Sequence, residues 1–109
     1  MSGSTVVVKI GTSSITDADG VINRSVVDKL CREVAAVRAL GHRVVVVTSG
    51  AIAAGLPELG LGGERRPSDA ITLQAVATVG QSTLMGVYRE SFAFHGLVAG
   101  QVLLVPQDF

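Results

Sequence analysis

The chain has 109 residues, 48% of them hydrophobic and only 4% aromatic, and its nine basic residues balance nine acidic ones. That size bounds it to one domain with a core of Val, Leu, Ile and Ala, and its apolar content excludes disorder. The zero net charge, with no basic cluster beyond Arg65-Arg66, argues against nucleic-acid binding, and the lone Cys31 excludes an internal disulfide or a multi-cysteine metal site.

The opening segment MSGSTVVVK lacks the basic and apolar regions of a signal peptide. No apolar run approaches the roughly 18 residues of a membrane span. The expectation is a soluble, cytoplasmic domain with no membrane partner.

Thr5 to Ile10 reads as a strand, a continuous β-branched run of the kind buried on both faces. Lys9 lies near its end, and Gly11-Thr12-Ser13-Ser14 follows as a loop. The stretch TDADGVINRS is a second loop, with a tight turn at Asp19-Gly20. Asp17 and Asp19 are read there as turn residues, and no metal ligand is assigned.

Ser25 to Asp28 has the form of a capping box opening a helix. Val27, Leu30, Cys31, Val34, Val37 and Leu40 fall on one face of that helix, whereas Asp28, Lys29, Arg32 and Glu33 fall on the other. Gly41 stands at its C-terminal cap. Val44 to Thr48 is a second buried strand, running into Ser49-Gly50-Ala51. One helix between two strands makes a βαβ unit, so the strands should be parallel and the crossover right-handed.

Ala51 to Leu59 is expected to be a short helix starting at Gly50, and GLGGERRPSD a loop. Ser68 or Asp69 caps a long helix towards Phe94, with Leu73, Val76, Ala77, Gly80, Leu84, Val87 and Tyr88 on its buried side. Gly96 ends that helix, and Leu97 to Val105 is predicted as a third strand. Three parallel strands with crossover helices give an α/β fold whose exposed edges call for cover. A partner subunit or the remainder of a larger domain would supply it, and the second is the favoured expectation.

In open parallel sheets ligands collect at the carboxyl ends of the strands, where both small-residue loops emerge. Gly11 permits close backbone approach, and Thr12, Ser13 and Ser14 offer hydroxyl and N–H donors. Ser49-Gly50-Ala51 opens a helix whose first amides favour an anion. Lys9 adds a compact positive charge. Together these groups suit a phosphate, a carboxylate, or both in one reaction.

Simpler roles stand beside that one. A strand-end lysine often snorkels to water, and Ser49-Gly50 can serve as a helix cap. Familiar motifs do not account for the pattern: the lysine precedes its glycine, unlike a P-loop, and both G-x-G-x-x-G and G-x-S-x-G are absent. His42 and His95 lie at the far ends of helices, which rules against a serine nucleophile paired with histidine.

VVVKIGTSS, VVVVTSGAIAAG and VGQSTLM, in this order and at these spacings, resemble the amino-terminal part of the glutamate 5-kinases, a branch of the amino acid kinase family. The likeness runs from about Val6 to Val105, with Leu73 departing from the Lys-Gln pair common in relatives while Gln74 is kept. It implies a parallel-sheet αβα sandwich of which residues 1–109 form the amino-terminal part, truncated relative to the family. It also implies ATP-dependent phosphorylation of the side-chain carboxylate of L-glutamate to glutamyl 5-phosphate, the first step of proline biosynthesis.

By the same resemblance Lys9 is catalytic and contacts the transferring phosphate. Lys9, Gly11, Thr12 and Ser13 would bind the nucleotide, supplied as the Mg2+ complex of ATP, while Ser49, Gly50 and Ala51 would hold glutamate. A homo-oligomer or a missing carboxyl-terminal segment would complete the site. Two other readings stay open: a non-catalytic module that binds glutamate or assembles with other chains, and a family member acting on another substrate.

Overall fold

The computed structural model of the chain describes residues 3–102. In order these are β1 (Thr5–Ile10), α1 (Thr12–Ile15), α2 (Arg24–Ala39), β2 (Arg43–Thr48), α3 (Ala51–Glu58), a 3-10 turn (Gly63–Arg65) and α4 (Ala70–Ala93). The class is α/β, as expected. β1 and β2 pair in parallel, in register from Thr5 opposite Arg43 to Ile10 opposite Thr48.

The crossover helix α2 starts earlier than the capping-box reading placed it. Asn23 is its N-cap: the side-chain oxygen accepts from the amides of Ser25 at 3.1 Å and Val26 at 3.4 Å. The Ser25 hydroxyl donates to the same oxygen at 2.7 Å, so Ser25 supports the cap rather than forming it. An amide oxygen at that position reaches the second and third helical N–H groups, which a serine two residues later cannot do. The apolar face is as read: Val27, Cys31 and Val34 are buried, and Leu30 packs against them. Leu40, by contrast, is 70% exposed.

Asp69 caps α4, accepting from the Thr72 amide at 2.9 Å and the Thr72 hydroxyl at 2.6 Å. Val76, Gly80, Leu84, Val87 and Tyr88 are buried along one side of this helix, as their spacing predicts. That side meets α3 and α2. The core joins Ile15, Val27, Cys31 and Val34 to Ala54 and to Leu84, Val87, Tyr88 and Phe92 of α4. Val44, Val46 and Ile10 pack onto it from the sheet. Among the described residues no helix is long and apolar enough to cross a membrane.

Two expectations for the sheet change. Both strands alternate between exposed and half-buried residues instead of being buried on both faces. Val7 (63% exposed), Val45 (49%) and Val47 (43%) stand on the side away from the helices. Alternation follows from the period of a strand when described helices cover one face only. Of the predicted third strand, Leu97 to Val105, residues 97–102 form no ladder, although Leu97 and Ala99 pack against the core. Residues 103–105 lie outside the described residues.

Candidate functional site

Because β1 and β2 are parallel and in register at Ile10 and Thr48, the two loops leave the sheet side by side. The first is not a loop for long. Gly11 is extended, and Thr12 to Ile15 then form one turn of helix, α1, whose Ile15 is buried in the core. The second is a single sharp turn. Gly50, at φ +120°, lets the chain pass from Ser49 directly into α3.

Hydrogen bonds tie the loops together. The Ser49 amide donates to the Ile10 carbonyl at 3.1 Å, extending the ladder by one bond. The Ser49 hydroxyl donates to the same carbonyl at 3.3 Å and accepts from the Thr12 hydroxyl at 3.1 Å. Ser49 therefore uses its proton on β1 and a lone pair on α1, which fixes its side chain between them. Thr16 adds a bond from its hydroxyl to the Thr12 carbonyl at 3.0 Å.

Gly50 is fully enclosed on one side. A Cβ there would stand 3.2 Å from the Ile15 δ-carbon and would force a conformation that L-residues rarely adopt. Gly50 also accepts the first bond of α3, from the Ala54 amide at 2.8 Å. Among the described residues no side chain caps the start of α3, and none caps α1. The first N–H groups of α3 thus open at the carboxyl edge of the sheet beside the single turn of α1, with no protein partner among the described residues.

Of the residues singled out from the sequence, the structure brings together Gly11, Thr12, Ser49, Gly50 and Ala51. Ser13 is exposed on the outer side of α1 and makes no side-chain hydrogen bond among the described residues. Lys9 is exposed on the open sheet face beside Val47, its register partner, and has no ion-pair partner among the described residues. Among the described residues its side chain joins none of the hydrogen bonds that tie the two loops. Asp17 behaves as a turn residue: its carboxylate accepts from the amides of Asp19 at 2.9 Å and Val21 at 3.1 Å. His42 stands at the opposite end of β2 from Ser49 and accepts from the Ser4 amide at 3.1 Å.

Sequence reasoning placed Tyr88 in the core but missed its polar role. Its hydroxyl lies 2.8 Å from the Thr48 hydroxyl, at the last residue of β2 before the turn. Either hydroxyl can donate in this pair, and the Thr48 hydroxyl also lies 3.2 Å from the Ser49 carbonyl. Burial pushes the phenol pKa up, the Thr48 bond opposing it, so Tyr88 keeps its proton across the neutral range. The signal was available in part, because a lone tyrosine on a buried helix face needs a partner for its hydroxyl.

Comparison with known proteins bears on what this edge binds. Residues 4–109 match the amino acid kinase family. Among curated relatives, the chain is 52% identical over 103 residues to the glutamate 5-kinase of Salinispora arenicola, covering 94% of this chain and 27% of that protein. It is 46% identical over 103 residues to the glutamate 5-kinase of Pelobacter propionicus, with the same coverages of 94% and 27%. The glutamate 5-kinase of Bifidobacterium longum subsp. infantis is 43% identical over 107 residues, covering 98% and 28%. The chain therefore spans little more than a quarter of the length of these relatives.

Proposed function

The chain belongs to the amino acid kinase family, and from that premise we propose that it supplies the amino-terminal part of a glutamate 5-kinase, transferring the γ-phosphoryl group of ATP to the side-chain carboxylate of L-glutamate. The observation carrying this reading is the joining of the Gly11–Ser13 segment to the Ser49–Ala51 turn through the Thr12–Ser49 hydrogen bond at the carboxyl edge of the sheet. The names of the relatives supply the substrate.

The chemistry asks little of the protein beyond placement. The glutamate side chain is ionised at neutral pH, since its reference pKa is about 4.3, so its oxygen needs no general base. That oxygen forms a bond to the γ-phosphorus while the bond to the β-phosphate oxygen breaks, and ADP leaves. Protein groups must hold both anions in line and offset the charge on the phosphoryl oxygens. In this reading the amides of Gly11 to Ser13 face the nucleotide phosphates. Lys9 delivers its charge to the transferring phosphoryl group. The first amides of α3 hold the glutamate, and the Ser49 hydroxyl turns its proton from the Ile10 carbonyl to the bound carboxylate. Magnesium enters as part of the nucleotide substrate.

Trapping the acyl phosphate with hydroxylamine tests the proposal. Purified chain, Mg-ATP and L-glutamate should give a hydroxamate that requires all components, and Lys9→Ala should lower its rate by about 100-fold or more, the usual scale for a charge-stabilising group. A folded chain that binds L-glutamate without forming hydroxamate would instead be a binding module, and one that responds to neither substrate would sink the reading.

A further inference from the structure

Helix α4 reaches the Ser49–Ala51 turn from both sides, through residues eight positions apart. At Gly80 the approach is backbone to backbone. A Cβ built on Gly80 would overlap the Ala51 carbonyl oxygen and the Gly55 nitrogen, and would lie 2.8 Å from the Ala51 carbonyl carbon. The reverse holds at Gly55, where a Cβ would overlap the Val76 carbonyl and lie 3.0 Å from the Gly80 nitrogen. The two glycines therefore set the α3–α4 crossing. On the other side of the turn, the Tyr88 hydroxyl holds Thr48 at 2.8 Å. Residues 80 and 88 share one face of the helix, with Leu84 buried between them.

A methyl group at position 80 would meet main-chain atoms of a neighbouring helix, which do not yield one at a time. Relief requires α3 and α4 to move apart, and the first residues of α3 are Ala51 and Ile52. We infer that Gly80 and Tyr88 are positioning residues: together they fix where the opening amides of α3 stand relative to the Gly11–Ser13 segment. The identity of the anion held there rests on the kinase reading above, whereas the pinning of the turn does not.

The test uses the full chain, labelled with 15N, as wild type, Gly80→Ala, Tyr88→Phe and Gly86→Ala. Gly86 lies on the same helix, and a Cβ there would meet nothing within 4 Å, so it reports the effect of the substitution type alone. L-glutamate titrated into wild type should shift the Ser49, Gly50 and Ala51 amides. Gly80→Ala and Tyr88→Phe should bind it about tenfold or more weakly, in line with the cost of sub-ångström to ångström misplacement, while Gly86→Ala binds as wild type. A role in stability alone would lower the thermal midpoint and leave the affinity of the folded fraction unchanged, and that result overturns the inference.

The ligand-free spectra decide the question separately. Gly80→Ala should disturb the amides of Thr48 and Ser49 as well as its own neighbours, and Tyr88→Phe should reach Ala51 and Ile52. Shifts confined to each variant's immediate surroundings would overturn the pinning. Should Gly80→Ala fail to fold, Tyr88→Phe carries both measurements. Should wild type ignore L-glutamate, the substrate reading falls, and the spectra still support or overturn the positioning role.

Discussion

At the scale of single residues, the site depends on what Gly50 and Ser49 can do that other residues cannot. Gly50 combines a φ of +120° with a Cβ direction closed by Ile15. Gly50→Ala should therefore destabilise the chain by at least about 1 kcal/mol, the cost of an unfavourable positive φ before any clash is added. Urea denaturation of the two proteins measures it. Ser49 makes exposed hydrogen bonds, which water replaces readily, so Ser49→Ala should change stability by no more than about 1 kcal/mol. In the proposed role it should nevertheless weaken L-glutamate binding, read by titration calorimetry on the same samples.

At the scale of elements, α4 organises the molecule, and its first turn depends on Asp69. The Thr72 hydroxyl, and after it the Thr72 amide, hold the Asp69 carboxyl below the usual carboxylate range. A lowered pKa in the folded state means that the cap contributes fully above the unfolded carboxylate's pKa and is lost as pH falls through the lowered value. Amide protection at Thr72 and Leu73, corrected for intrinsic exchange, should fall across that acidic window in wild type and show no such step in Asp69→Ala. Farther along, Gly86 faces open space inside the helix. Gly86→Ala should raise stability by about 0.5–1 kcal/mol, since only the backbone entropy of glycine is removed. The helix itself was legible because its buried residues recur at helical spacing over many turns. The reason for a glycine at 80 was not legible, because the atoms that exclude a side chain there belong to α3.

At the scale of the whole molecule, the described core lies on one side of the sheet. Val27 of α2 is fully buried in the core, whereas Val7 is 63% exposed on the other face of the sheet. Val27→Ala should cost about 2 kcal/mol, from two lost methyl-sized groups and the cavity left behind. Val7→Ala should cost under about 0.5 kcal/mol, the range of surface substitutions. Chemical denaturation of the two variants compares them directly. The β-branched run that suggested strands buried on both faces carries no information about which face a neighbour covers. Composition alone cannot tell a covered valine from an open one.

What the sequence determined by itself was local. Runs of valine specify β1 and β2, helical spacing specifies α2 and α4, and one helix between two strands specifies their parallel pairing. From that pairing, both small-residue loops had to emerge at one edge of the sheet. Only the tertiary structure decided the rest, because each remaining fact depends on atoms distant along the chain. Ile15 closes the space beside Gly50, Thr12 meets Ser49, the Tyr88 hydroxyl pairs with that of Thr48, and Gly80 admits the backbone of α3. Propensity acts over neighbouring residues, whereas these contacts exist only once four separate elements have packed together.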